Sequence, residues 1–216
     1  MAKQVLMDDA VKMIKDGMTI MVGGFMGCGS PHKIIEKLVE SGVKDLTLIC
    51  NDAGFPDYGV GKMVVKKQFK KIYASHIGLN PEAGRQMNEG ETEVVLVPQG
   101  TLAERIRCGG AGLGGFLTPT GIGTPVEEGK QCLNIDGKDY ILELPMRADI
   151  AIVEAARADE SGNLQFHGST RNFGEFMVTA ADLTIAEVRE IVKDGEMDPN
   201  FVHTPGIFID YVVKGE

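Results

Sequence analysis

Four glycines crowd into the seven positions Gly23, Gly24, Phe25, Met26, Gly27, Cys28 and Gly29. The β-prone run Thr19 to Val22 precedes them, and after Pro31 the apolar residues Ile34, Ile35, Leu38 and Val39 recur at helical spacing. A glycine-lined turn that opens a helix leaves backbone N–H groups free of Cβ crowding, which suits a phosphate, a carboxylate or a developing oxyanion. The same glycines could equally serve only a sharp turn and close strand–helix packing. Ser30 is the expected N-cap, Pro31 the expected first helical residue and Gly42 the expected helix stop.

Other residues suited to chemistry fall at the carboxyl ends of the strands that the pattern predicts. Gly23 and Gly24 follow the first strand, Asn51 and Asp52 the second, Ser75 and His76 the third, and Gln99 with Gly100 the fourth. In open α/β sheets that edge forms the ligand crevice. Amides and glycine N–H groups dominate it, which predicts a site donating hydrogen bonds to a carboxylate or a thioester carbonyl rather than one built for metal chemistry. No nucleophile stands out. There is no GxSxG elbow and no cysteine with a neighbouring histidine, and Glu104, Glu143, Glu154 and Glu175 read as helix-surface or strand-edge charges. Gly110, Gly112 and Gly115 fit GxGxxG, but they follow the helical "TLAERIR" and lead into a Pro-containing loop, so a dinucleotide fold is rejected.

The elements that must position these residues alternate. Strands are predicted near 18–22, 45–50, 71–75 and 93–97, with helices near 5–15, 31–41, 81–89 and 99–107. That rhythm implies an α/β fold with a mainly parallel sheet and helices on both faces. Residues 108–129, rich in glycine, predict an irregular loop of the kind that is usually functional. "QCLNIDGKDYILEL" then predicts a β-hairpin turning at Asp136-Gly137. "ADIAIVEAARA", "DLTIAEV" and "GIFIDYVV" predict three further strands.

Composition narrows the function classes. A chain of 216 residues with 43 % hydrophobic content can bury one substantial core, so a single domain over 1–216 is expected. A formal net charge of -9 argues against nucleic acid. The one basic cluster, "KKQFKK" at 66–71, reads as a solvated edge. No apolar run approaches ~18 residues and no basic segment leads into an apolar one, which predicts a cytoplasmic protein that neither spans a membrane nor is exported. The spread of Cys28, Cys50, Cys108 and Cys132 suggests neither a zinc site nor a disulfide framework.

"DGMTIMVGGFMGCGSP", Asp16 to Pro31, resembles the signature of the α chains of family I coenzyme A-transferases, and further similar blocks cover nearly the whole chain. Among them are "CND" at 50–52, "ASHIGLNPEAGRQM" at 74–87, "VPQGTLAERIRCGGAGLGGFLTPTGIGT" at 97–124, "RNF" at 171–173 and "HTPGIFID" at 203–210. Within the family the resemblance is to the α chains of acetate or butyrate:acetoacetate CoA-transferases. It implies the CoA-transferase-type (NagB/RpiA-like) α/β fold, coenzyme A or acyl-CoA as substrate with no resident cofactor or metal, and a short carboxylic acid as acceptor. It also implies a β-subunit partner, in a heterotetramer of two α and two β chains. In the family the nucleophile is a glutamate in a Ser-Glu-Asn-Gly motif of the β chain, and this sequence lacks that motif. Carried onto matching positions, the resemblance makes Gly23, Gly24, Phe25, Met26, Gly27, Cys28 and Gly29 the coenzyme A loop. Gln99 faces the carboxylate pocket, Asn51 lies in its wall, and the 108–124 loop lines the active site or the subunit interface. Two other readings are a sugar-phosphate isomerase or deaminase on a related scaffold, which would carry its own acid/base residues, and a non-catalytic ligand sensor, which would carry a DNA-binding appendage or a basic face.

Overall fold

The structure, a computed structural model, describes residues 2–215. In chain order the elements are β1 (Lys3–Gln4), α1 (Met7–Val11), β2 (Thr19–Val22), α2 (His32–Ser41), β3 (Leu46–Cys50), α3 (Gly61–Val65), β4 (Phe69–Ala74), α4 (Pro81–Asn88) and β5 (Glu93–Leu96). Then come α5 (Gln99–Gly110), β6 (Phe116–Thr118), β7 (Cys132–Ile135), β8 (Lys138–Glu143), β9 (Ala148–Asp159), β10 (Leu164–Gln165), α6 (Gly174–Thr179), β11 (Ala181–Val192) and β12 (Tyr211–Lys214).

The main sheet runs β1-β12-β11-β9-β2-β3-β4-β5, with every pair along that path parallel and β10 added antiparallel to β9. Its central strands are apolar on both sides because helices cover both faces. Alternation assigns the sides. Ile20, Val22, Leu48, Cys50, Ile72 and Ala74 pack with α1 to α4, whereas Met21 and Ile49 pack with Leu102 and Ile106 of α5 and Met177 of α6.

From β2 the chain steps outward to β3, β4 and β5, while from β9 it steps the other way to β11 and β12. The order therefore reverses between β2 and β9, and loops leaving those two strands part to opposite faces. Such a switch point opens a crevice at the carboxyl edge, and Gly23 to Gly29 leave β2 there.

Several expectations shift. α5 continues to Gly110, so Gly109 and Gly110 are helical and the predicted loop begins later. Part of that loop is not irregular: Phe116–Thr118 pairs antiparallel with β8, and Pro125–Glu127 forms a 3₁₀ turn. Tertiary pairing with β8 supplied an order that the local composition could not. The hairpin at Asp136-Gly137 forms as predicted, with φ of +53° and +81° that fit a type I′ turn. α3 was not anticipated. The "KKQFKK" segment is a turn at Lys66 and Lys67 that runs into β4 at Phe69; Lys66, Lys67 and Lys70 are exposed, Lys67 and Lys71 pair with Glu91 and Glu93, and Gln68 and Phe69 are buried. All four cysteines are free, and no described helix is long and apolar enough to cross a membrane.

Candidate active site

The turn after β2 folds back on itself. Phe25 and Cys28 exchange backbone hydrogen bonds of 3.0 and 2.9 Å across Met26 and Gly27, both at positive φ, and Gly24 and Gly29 are at positive φ too. A second glycine-flanked turn follows β3, closed by one backbone bond, from Tyr58 N to Phe55 O at 3.2 Å. There Phe55 and Tyr58 pair across Pro56 and Asp57, between Gly54 (φ +63°) and Gly59 (φ +62°). Sequence reading singled out the first turn and missed the second. The signal was the repeated spacing Gly-Phe-x-x-x-Gly, at 24–29 and again at 54–59.

Asp52 joins the two turns. Its buried carboxylate accepts from Met26 N at Oδ2 (2.8 Å) and from Gly54 N at Oδ1 (2.8 Å). His32, on the first turn of α2, adds a second link. Its Nε2 lies 2.9 Å from the Gly27 carbonyl oxygen, and its ring packs 4.3 Å from that of Tyr58. The hollow beneath the first turn, between Gly24, Ser30 and Asp52, is only about 10 Å³. A ligand of any size must therefore meet this turn from its outer side, where Phe25, Met26 and Cys28 are exposed.

The N-terminus of α2 is not open as the sequence reading supposed. Helix α2 begins at His32, Pro31 occupies the N-cap position, and the Ser30 side chain makes no capping bond. The cap comes from β11 instead: Glu187 accepts from Lys33 N (3.2 Å) and Ile34 N (2.8 Å). A carboxylate from distant sequence already fills the anion position that the helix end offers. Gly42 does end the helix, in the left-handed conformation at φ +68°.

Asn51 and Ser75 form a separate polar pair. The ladder between the second and third predicted strands runs past its assigned ends, with Ser75 N bonded to Asn51 O at 2.8 Å and Ala53 N to His76 O at 3.1 Å. Continuing the alternation past Cys50 sets Asn51 on the α5 side of the sheet. Asn51 is 1 % exposed, its Oδ1 accepts from Ser75 Oγ at 2.9 Å, and its Nδ2 has no partner among the described residues. A buried donor left open at a crevice edge is costly in isolation, and is the arrangement expected of a group that meets a ligand or another chain. Gln99, exposed, is the first residue of α5 on that same side. Thus Asn51 and Gln99 share one side of the edge, while the glycine turn leans toward α2 and α3. Among the described residues no side-chain hydrogen bond joins Asn51 or Gln99 to residues 23–29.

The glutamates divide. Glu104 and Glu175 are partly exposed partners of Arg107 and Arg171, as expected. Glu143 and Glu154 are not surface charges. Glu143 is buried against Lys130 (2.5 Å) and Arg105 (3.8 Å). Glu154 is buried on β9 beside Glu187, with Arg189 Nε 3.0 Å from Oε1 and no partner for Oε2 among the described residues. None is paired with a base that would mark it as a nucleophile. Among the described residues no cluster of His, Cys, Asp or Glu could hold a metal ion.

Comparison with known proteins agrees with this geometry. A family model described as "Coenzyme A transferase" matches residues 5–215. The alpha subunit of the acetate CoA-transferase of Escherichia coli is 56 % identical over 214 residues, spanning 99 % of this chain and 97 % of that protein. The alpha subunit of the acetoacetyl-CoA:acetate/butyrate CoA transferase of Clostridium acetobutylicum is 46 % identical over 213 residues, spanning 99 % and 98 %. Two solved structures share the fold at lower identity. An acyl-CoA transferase of E. coli, in a thioester complex with CoA, superposes with TM-score 0.89 at 21 % identity, covering 99 % of this chain and 47 % of that one. Glutaconate coenzyme A-transferase of Acidaminococcus fermentans does so with TM-score 0.86 at 18 % identity, covering 99 % and 76 %. The chain whose sheet edge carries these glycine turns and amides thus belongs to the coenzyme A transferase family.

Proposed function

We propose that this chain is the α subunit of a heteromeric CoA-transferase that moves coenzyme A between a short-chain acyl-CoA and acetate, butyrate or acetoacetate. It works in the cytoplasm as one domain over 1–216, in a heterotetramer of two α and two β chains. The observation that carries this reading is the near end-to-end match to α chains whose names state these substrates. No observation favours a sugar-phosphate isomerase or a ligand sensor.

A glutamate of the β chain attacks the thioester carbonyl and expels CoA as the thiolate, leaving an acyl-glutamyl anhydride. The thiolate attacks the glutamyl carbonyl, releases the first carboxylate and leaves a glutamyl-CoA thioester. The second acid reverses the two steps, so coenzyme A enters and leaves as substrate and every bond broken is replaced. This chain's part is positional. Residues 23–29 meet the coenzyme on the outer side of their turn, and Gln99 and Asn51 donate to the carboxylate or to the oxyanion as charge develops. The open Nδ2 of Asn51 supports that role.

The test is reconstitution. The chain purified alone should transfer no CoA from acetoacetyl-CoA to acetate, and adding the β chain should restore transfer. Robust activity from rigorously pure α chain would overturn the two-chain reading.

A further inference from the structure

The glycine turn is held at both ends by two neighbouring parallel strands. At its leading end Gly23 N donates to Ile152 O of β9 at 2.9 Å. At its trailing end only Ser30 and Pro31 separate Gly29 from α2, so whatever fixes the first turn of α2 also fixes Gly29. That group is Glu187 of β11, 6 % exposed, with one oxygen on Lys33 N and the other on Ile34 N. Nothing in residues 23–31 caps the helix by a side chain. Glu187 and Glu154 are register partners on adjacent strands. Both line a cavity of about 700 Å³ that is also lined by Met26 to Ser30, His32 and Tyr58.

We propose that Glu187 is a positioning residue for the coenzyme turn: its carboxylate, and not a phosphate of the coenzyme, occupies the N-terminus of α2 and sets where residues 23–29 stand. The proposal rests on the reading of those residues as the coenzyme loop.

The arrangement has a pH signature. Burial raises the Glu187 pKa above the usual glutamate value, and the nearby Glu154 charge adds to this, against the pull of the Ile34 and Lys33 N–H groups and the Lys33 charge. As pH falls through that raised value the group takes a proton, and one capping acceptor becomes an O–H. The turn then loosens and KM for acyl-CoA rises on the acid side. Folding stability moves the opposite way. A carboxyl whose folded pKa is raised contributes stability at low pH and loses it as pH rises through that pKa. The titratable and charged groups facing the same cavity are Cys28 from the glycine turn, His32 and Lys33 from α2, Tyr58 from the second turn, Glu154 from β9 and Arg189 from β11. Because the Glu154 charge acts on Glu187, the profile is also taken for Glu154→Gln, and an acid rise in KM that persists there but flattens in Glu187→Gln belongs to Glu187.

The experiment uses the assembled α and β chains, with steady-state transfer from acetoacetyl-CoA to acetate between roughly pH 5 and 8. Glu187→Gln should raise KM for acetoacetyl-CoA about tenfold, leave kcat within about twofold, and flatten the acid rise in KM. Glu187→Asp, which keeps the charge on a shorter arm, should fall between and serves if the glutamine variant does not fold. Amide hydrogen exchange across residues 23–30 reads the turn without any catalysis, and should quicken in Glu187→Gln. Unchanged exchange and an unchanged KM profile in a folded complex would overturn the proposal, as would a lowered melting temperature with no change in KM. If the wild-type complex transfers no CoA, the functional reading fails, and the exchange measurement still decides whether Glu187 positions the turn.

Discussion

Gly27 lies against the face of Tyr58, and its missing side chain is what lets the ring sit there. A Cβ on Gly27 would run into Cε1 and Cδ1 of the ring, and the backbone at Gly27 is at φ +80°, where side chains are disfavoured. The two glycine turns are therefore packed into one unit, with the His32 ring touching both Gly27 and Tyr58.

Gly27→Ala should expel the Tyr58 ring and strain the turn by about 1–2 kcal/mol. Gly24→Val should be harsher, because φ there is +106° and an added Cβ would stand 2.8 Å from the backbone nitrogen of Ser30, which cannot swing aside. In the assembled enzyme we expect a raised KM for acyl-CoA with Gly27→Ala and no measurable turnover with Gly24→Val. Wild-type kinetics in a folded, β-bound Gly24→Val complex would refute the role given to this turn.

Asp52→Ala removes the acceptor for both Met26 N and Gly54 N, so two backbone donors lose their partner at once. Each donor left unsatisfied costs about 1–3 kcal/mol where water cannot reach it. Denaturant unfolding should show a loss of that order, and coenzyme KM should rise with it. A stability change below about 0.5 kcal/mol would show that the turns hold together without the aspartate.

Gln99→Ala should lower kcat about a hundredfold while the complex still assembles, since a preorganised donor to a developing charge is worth about 3 kcal/mol. Gln99 is exposed at the start of α5, so truncating it removes little buried surface. An unchanged kcat in an intact complex would reduce Gln99 to a helix-start residue.

The covalent adduct should form on the β chain. When the complex is treated with acyl-CoA and then hydroxylamine or borohydride, peptide mass spectrometry should find the modified glutamate there and leave this chain unmodified. The structure makes the local alternatives poor nucleophiles. Glu143 is buried between Lys130 and Arg105, Glu154 is buried against Arg189, and Glu104 and Glu175 are paired with arginines on their own helix or just before it. An adduct on any of these four would overturn the mechanism.

What the sequence determined by itself is the scaffold and the edge on which the candidate site lies. Apolar period and turn residues are local properties, so β2 to β5, α2, α4 and the Asp136-Gly137 hairpin were legible, and with them the residues at the strand ends. Asn51 and Ser75 follow their strands directly and Gln99 follows β5 after Val97 and Pro98, and a strand's direction fixes where the next residues stand. The family was legible for a different reason: its fixed residues stand in nearly unbroken blocks along the chain.

Contacts between distant segments were decided only by the tertiary structure. Ser30 looked like the cap of α2 because hydroxyl caps are local. The actual cap is Glu187, more than 150 residues away, and only the parallel register of β9 and β11 brings its carboxylate over the helix. Glu143 and Glu154 read as surface charges because a carboxylate's neighbours across a sheet leave no periodic mark in sequence. Phe116–Thr118 lacks a strand pattern and becomes a strand because β8 offers it an edge. Local propensity is a property of a segment, whereas capping, burial of charge and edge pairing depend on which segments meet.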